Sequence, residues 1–333
     1  MEDFKVKFRG VRGSFPVCNK NFMLFGGNTS CVEVNVGGHL ILLDAGTGIV
    51  SAGDDLMEKY IASSINPQER KPICATLLIS HIHQDHLLGL TFFKPIHIKS
   101  TKLKIYGPSS NNSSLEKDLS ELVFGKSFPL DLGDVACTME INSISNEQAI
   151  LLKPNEPPVL TTPNVEVGEN DVLITFYKSY VHPQDGVMIY KISYKGKSLV
   201  YATDKECYLG GDKKFINFAK DCDLLIHDAQ YTTEDYMNSY SPKQGFGHST
   251  FDMATESMKQ TKAKSLVFFH FDPGYDDTKL NRIREHYTSN NKNEFFLRII
   301  IEELYEKFFN HTYYFNVGNA CIRSKRDNCN LCN

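Results

Sequence analysis

Four residues able to bind a metal fall within six positions, His81-Ile82-His83-Gln84-Asp85-His86. They follow the apolar run CATLLIS, which reads as a strand, and precede LLGL, which reads as the start of a helix. Residues two apart on an extended strand end share one side, so His81 and His83 can approach a single ion together. Asp85 and His86, on the turn that follows, point elsewhere. Four ligands so close in sequence cannot all reach one tetrahedral ion without severe backbone strain. The spacing therefore predicts two neighbouring metals and a bridging group from later in the chain. A helix cap or a polar pocket lining would explain a lone histidine here, but not three histidines and an aspartate at this density.

A second pattern supplies the remaining donors. Asp44 ends LILL, His182 follows VLITFYK, Asp204 ends SLVYAT, His227 ends CDLLI and His270 ends SLVFF. In layered α/β proteins functional groups gather at strand ends, where loops converge without disturbing the core, so these loops are expected to meet His81–His86. Counting donors gives His81, His83 and His182 to one metal and Asp85, His86 and His270 to the other, with Asp204 as the bridge. Taken singly, His182 and His270 would read as packing histidines; their shared position reverses that. Asp44 and His227 exceed the ligand count and are expected to orient metal-bound groups from behind. Asp44, in DAGTGI, serves equally well as the aspartate that organises a glycine turn.

A third signal is Gly247-His248-Ser249-Thr250 ahead of the helical pattern FDMATESMKQ. Ser249 or Thr250 is a natural N-cap, which accounts for the hydroxyls; their place beside His248 also makes them candidate substrate contacts. An imidazole at a helix N-terminus beside a metal site can hydrogen-bond a phosphoryl oxygen or protonate a leaving alkoxide. The catalytic candidates are thus His248, Asp204 and Asp85.

The elements needed to hold these groups are visible around them. KVKFRG, CVEVNV, HLILLD, CATLLISH, VLITFYK, SLVYATD, CDLLIHD and SLVFFHFD read as strands. Helical patterns cover Ala52–Ser63, Leu115–Val123, Thr250–Lys262 and Asp277–Tyr287, with a further amphipathic stretch over Glu294–Phe309. The mixture predicts α/β layering. Pro108–Pro163, rich in Asn, Ser and Pro, reads as a variable insertion or lid within a hydrolase domain over 1–290, and 291–333 reads as a helical extension with a polar tail.

Bulk properties narrow the partners. In 333 residues, 41% are hydrophobic and 23% charged, the usage of a folded globular chain. A net charge of -4 offers no general field for a long polyanion, so nucleic acid is not expected as a partner while small phosphate esters are. MEDFKVKFRG lacks the pattern of a secretory signal and no run of about 18 apolar residues occurs, which predicts a cytoplasmic protein with no membrane partner. The cysteine count, nine, is odd and the spacing irregular, so no disulfide framework is expected. Cys321, Cys329 and Cys332 would need a fourth ligand such as His311 to hold zinc, and read better as free thiols.

These residues also carry a family resemblance. With its HxHxDH motif the chain resembles the metallo-β-lactamase superfamily, and within it the branch of tRNase Z-like enzymes and cyclic nucleotide phosphodiesterases. Arg12-Gly13-Ser14-Phe15-Pro16 and Phe25-Gly26-Gly27-Asn28-Thr29-Ser30-Cys31 resemble the cyclic nucleotide side of that branch, including the anti-Pycsar enzymes, and LIHDAQYTTEDY and GHST strengthen the likeness. Coverage runs over about 4–280, loosely through Pro108–Pro163. One departure is Phe271, where the pattern often has a second histidine. The resemblance implies a four-layer αβ/βα sandwich and two divalent ions, zinc first and manganese second, held by the seven ligands above. It also implies hydrolysis of 3′,5′-cyclic nucleotides to monophosphates by a metal-bridging hydroxide, with His248 as the acid, and a homodimer. The alternatives are a tRNase Z-like endoribonuclease, a thioester or lactone hydrolase, and a non-catalytic cyclic nucleotide binder.

Overall fold

The computed structural model describes residues 4–110, 113–125, 128–208, 210–289, 296–297 and 315–316. In β1 (Phe4–Gly10), Phe4, Val6 and Phe8 are buried, alternating with the half-buried Lys5 and Lys7. The antiparallel pair β2 (Cys31–Val36) and β3 (His39–Leu43) turns through Gly37-Gly38, both at positive φ (55° and 83°), a conformation two-residue hairpins demand and glycine supplies at least cost. From β3 onward β4 (Cys74–Leu78), β5 (Lys102–Pro108) and β6 (Thr138–Ile144) each run parallel to the strand before.

The second sheet holds β7 (Ala149–Leu152), β8 (Val159–Thr161), β9 (Val172–Ser179), β10 (Val187–Tyr194), β11 (Lys197–Ala202), β12 (Leu224–Asp228) and β13 (Ser265–Phe269). Its order is β13-β12-β11-β10-β9-β7-β8, extended beyond β13 by β14 (Phe296–Leu297); β15 (Phe315–Asn316) lies beside β1 in the first sheet. Strands β11, β12 and β13 are parallel, and β12 and β13 are buried at every residue, as expected of parallel strands covered on both faces.

The two sheets share one core, in which Phe8 of β1 meets Phe269 of β13 with ring centroids 6.3 Å apart. α1 (Ile49–Ala62) and α2 (Leu115–Leu122) pack on the first sheet through Ile49, Ala52, Leu115 and Leu119. α3 (Lys213–Ala219), the single turn α4 (Thr233–Tyr236), α5 (Phe251–Thr261) and α6 (Asp277–Ser289) belong to the second sheet, which α3 and α5 cover through Phe215, Phe251 and Met258. The result is the expected helix-sheet-sheet-helix sandwich. No helix among the described residues is long and apolar enough to cross a membrane.

Three expectations need adjusting. Pro108–Pro163 is woven into both sheets as β6, β7 and β8 rather than set on them as a lid; β6 is an edge strand with only Ile144 buried, which is why its periodicity is weak in sequence. Beyond His86 the chain forms 3-10 turns at Leu90–Phe92 and Lys94–His97 instead of a helix, Pro95 being unable to donate within one. Of Glu294–Phe309, only Phe296 and Leu297 are described; they are extended and pair with Ser265 and Leu266. The remainder, with His311, Cys321, Cys329 and Cys332, lies outside the described residues.

A buried ion-pair network fastens β1 to its neighbours. Arg9 Nε donates to Glu33 Oε2 at 2.8 Å, its Nη1 lies 2.7 Å from Asp55 on α1, and Lys7 Nζ donates to Asp55 at 3.1 Å. Replacing Arg9 by Met leaves Glu33 buried and unpaired, and urea melts at neutral pH are expected to show a loss of about 3–5 kcal/mol. Burial opposes charge on Asp55, but Arg9 and Lys7 outweigh it and bring its pKa down to about 2. Asp55 therefore stabilises the fold fully above its unfolded value near 4, and that contribution disappears as pH falls towards 2. Asp55→Asn should flatten this acid limb.

Candidate metal centre

Strands β3, β4, β11, β12 and β13 end on one edge, and the chain turns there abruptly. Asp44, Asp204 and His270, just past β3, β11 and β13, have φ of 61°, 49° and 66°, the left-handed region that non-glycine residues avoid. This backbone swings each side chain over the sheet edge instead of along the strand. The turn after β4 brings His81, His83, Asp85 and His86, and the loop after β9 brings His182.

The donors converge in two groups. Ligand atoms of His81, His83, His182 and Asp204 lie within 4.8 Å of one another, as do those of Asp85, His86, Asp204 and His270. Asp204 belongs to both and presents one oxygen to each: Oδ1 is 3.2 Å from Nε2 of His86 and of His270, while Oδ2 is 3.5 Å from His81 Nε2 and 3.8 Å from His182 Nε2. The chain thus brings together all seven residues singled out by strand-end position and motif.

Several features fit a pair of cations. His83 Nδ1 and His182 Nε2 face each other at 3.2 Å, and His86 Nε2 and His270 Nε2 at 3.3 Å, while His81 Nε2 is buried with no hydrogen-bond partner. His86 Nδ1 donates to Asp44 Oδ2 at 2.7 Å and His182 Nδ1 to the Gly247 carbonyl at 3.2 Å, so both rings turn Nε2 inward. Burial holds His81 well below the usual imidazole range and pushes His182 down to about 4, keeping these rings neutral and able to bind metal. Burial acts against the charged form of Asp204, yet His270, His86 and His81 hold it ionised; for His86 burial is outweighed by Asp204, Asp85 and Asp44, which raise it. Such a concentration of buried carboxylate demands positive charge.

The surroundings fix these ligands in place. Asp44 accepts from the Ser80 amide (2.6 Å), the Ser80 hydroxyl (2.8 Å) and the Tyr201 hydroxyl (2.8 Å) besides His86. The Ser14 amide donates to Asp85 Oδ2 at 2.7 Å, and Gln230 reaches the Ser14 hydroxyl at 2.8 Å. A Cβ on Gly13 would stand 2.3 Å from His270 Nδ1, and one on Gly247, whose φ is 89°, 2.2 Å from His182 Nδ1. Gly13→Ala is accordingly expected to displace His270 and lower metal occupancy and turnover by about 10–100-fold, checked by elemental analysis beside steady-state kinetics.

His248 stands at the edge of the second group. Its Nδ1 donates to Asp228 Oδ2 at 2.8 Å, and its ring stacks on His270 at 4.9 Å and 13°. Burial works against the imidazolium, but Asp228 prevails and raises the pKa above the ordinary value. Asp228, which sequence reasoning passed over, occupies the place expected for His227. Consecutive strand residues face opposite ways, so with Asp228 on the site His227 turns towards α3, packing edge-on to Phe215 and lying 3.6 Å from Cys207 Sγ. Ser249 and Thr250 are also not placed as substrate contacts. Both are fully buried: the Ser249 amide donates to Asp228 and its hydroxyl to the Lys205 carbonyl, and Thr250 caps α5 by accepting from the Met253 amide.

This arrangement of sheets and donors agrees with what the chain is related to. The Beta-lactamase superfamily domain matches residues 39–271, and the chain belongs to that family. It is a metal-dependent hydrolase of the metallo-β-lactamase fold. Among its relatives it is similar to Ribonuclease Z of Pyrococcus horikoshii, 26% identical across 81% of this chain and 87% of that one, and to Ribonuclease Z of Thermococcus sibiricus, 27% identical with 81% and 87% covered. Solved structures share the fold. They include the metallo-β-lactamase fold protein YhfI from Bacillus subtilis (TM-score 0.56, 18% identity, 86% of this chain and 93% of that one) and human tRNase Z, short form (0.52, 20%, 80% and 93%).

Proposed function

We propose that the chain is a phosphodiesterase whose substrate is a small cyclic nucleotide, opened to the monophosphate. The observation that carries this reading is the Asp228-paired His248 beside two donor groups that share Asp204. In this reading one ion is held by His81, His83, His182 and Asp204, and the other by Asp85, His86, Asp204 and His270. Imidazole-rich sets of this kind suit zinc, with manganese a weaker choice. When bound, such ions supply Lewis acidity towards phosphoryl oxygens and a water that is deprotonated near neutral pH.

The chain's own residues do the rest. Asp204 fixes the separation of the two halves by giving one oxygen to each. Asp85 is aimed by the Ser14 amide. A ribose oxygen is a poor leaving group unless protonated, and His248, with Nδ1 bonded to Asp228, presents a protonated Nε2 for that purpose. Asp228 keeps the ring oriented and charged.

RNA is the second reading, favoured by the relatives named Ribonuclease Z. Their existence removes the basis for excluding nucleic acid on net charge alone; the charge of -4 still favours the smaller anion. The deciding experiment is a panel of cyclic mononucleotides, cyclic dinucleotides and one tRNA precursor, assayed with zinc and with manganese. Rapid opening of a cyclic nucleotide with shallow salt dependence is expected. Cleavage of the precursor with a steep salt response, and inert cyclic nucleotides, would establish the RNA reading instead. Tight retention of unchanged nucleotide would make the protein a binder.

A further inference from the structure

A second cluster of reactive side chains lies away from the metal centre, between α3, α5 and the loop that follows Asp204. Cys207, Lys205, Phe215, Ser257 and Gln260 help to line a cavity of about 370 Å³ there. Cys207 is partly exposed, with Sγ 3.6 Å from His227 Nε2 and 3.2 Å from Ser257 Oγ. His227 Nδ1 donates to the Asp228 carbonyl at 2.7 Å, which leaves Nε2 with its lone pair directed at the thiol. The histidine that does not serve the metal centre is therefore placed as a base on a cysteine.

Lys205 makes an independent demand on the same cavity. Its side chain is completely buried and its amine has no hydrogen-bond partner. The Asp212 carboxylate lies 3.4 Å away and the amine rests 4.7 Å over the Phe215 ring. The ion pair with Asp212 leaves the buried amine without a hydrogen bond, and an oxygen-bearing group in the cavity would supply one.

We propose that Cys207 is a modification site that reacts with small hydroperoxides, and that Lys205 receives the oxygen the sulfur gains. The thiolate attacks the terminal peroxide oxygen, forming an S–O bond as the O–O bond breaks. Sulfur is oxidised by two electrons and the peroxide is reduced to an alkoxide or hydroxide, which takes the proton of the nascent sulfenic acid and leaves as alcohol or water. The resulting sulfenate is an anionic acceptor within the cavity that holds the Lys205 amine.

The electrostatics agree with this chemistry. Burial alone would raise the Cys207 thiol, but His227 and Lys205 reverse that and bring it down to about 6. Asp212 at the start of α3, together with Asp252 and Glu256 on α5, also faces the cavity and tempers the effect. At pH about 6 an ordinary thiol is under ~1% ionised. After allowing for the weaker nucleophilicity of a low-pKa thiolate, Cys207 should react about ten-fold faster than an unperturbed cysteine.

The test uses the full-length wild-type protein, treated with hydrogen peroxide at pH about 6, trapped with dimedone and read peptide by peptide by mass spectrometry. Cys207 is expected to be trapped about ten-fold faster than the exposed Cys18 and Cys74, with a rate that rises through pH about 6. Lys205→Met and His227→Asn, checked for native folding by circular dichroism, should each slow trapping at Cys207 while leaving Cys18 and Cys74 unchanged. Labelling of Cys207 no faster than of Cys18 and Cys74 in the wild-type protein overturns the proposal whether or not the variants fold. Unchanged Cys207 rates in folded variants overturn the roles of Lys205 and His227.

Discussion

Asp204→Ala is expected to abolish phosphodiester hydrolysis and to lower the metal content of the purified protein on both halves of the centre together. The reason is geometric. Asp204 Oδ1 sits 3.2 Å from two imidazole nitrogens of one group, and Oδ2 faces His81 and His182 of the other. Removing it takes a donor from each side and leaves five imidazoles crowded without the carboxylate that compensates them. Loss of turnover should reach the limit of detection, at least about 10³-fold. Elemental analysis is the decisive companion measurement, because a variant that keeps two equivalents of metal and a native circular dichroism spectrum, yet turns over at near the wild-type rate, contradicts the bridging assignment. Asp44→Ala makes a useful contrast. It removes the acceptor for His86 Nδ1 without removing a donor, so occupancy should drop on one half only, by about 10–100-fold in affinity.

His248→Ala is expected to separate catalysis from metal binding. Both donor groups survive this change, so the metal content should match the wild type. Turnover of a ribose-leaving substrate should fall about 10²–10⁴-fold, the range of a positioned general acid. A p-nitrophenyl phosphodiester, whose leaving group needs no proton, should lose far less. Equal losses for both substrates would show that His248 positions the phosphoryl group rather than protonating the leaving oxygen. The pH profile gives a second reading. His248 acts as an acid when protonated, and Asp228 raises its pKa above the ordinary value against the effect of burial, so activity should persist to higher pH than an isolated imidazole allows. Asp228→Asn should draw that alkaline limb back down.

Much of this centre was legible because its signals are local and chemical. HIHQDH announces four donors in one short turn, and the strand-end positions of Asp204 and His270 follow from apolar runs that stop abruptly. What failed, besides the inward-turned hydroxyls of Ser249 and Thr250, was the assignment of one residue at the end of β12. The run CDLLIHD does reach Asp228, but placing the strand-end donor at His227 stops one residue short of the last position of β12. Because the side-chain period is two, that one-residue difference exchanges the face of the sheet, and a histidine was chosen where an aspartate serves. The same period, applied to Asp228 as the last strand residue, would have found it. The Ser14 amide and Gly13 were not legible as contacts to Asp85 and His270, since the pairs are separated by 71 and 257 residues and only the folded sheets bring them together. The edge strand β6 was misread for a different reason. With one side open to solvent it lacks the apolar alternation that marks its neighbours.

The left-handed backbone at Asp44, Asp204 and His270 sets function against folding at one edge of the molecule. Each such residue costs on the order of 1 kcal/mol that glycine would not, and the buried carboxylate of Asp204 adds a further cost whenever no cation compensates it. Natural or laboratory selection for thermal robustness alone, carried out under metal-poor conditions, would therefore drift first towards glycine or neutral side chains at these three turns. A hardened, inert descendant would be the outcome, with its sheets intact and its chemistry erased.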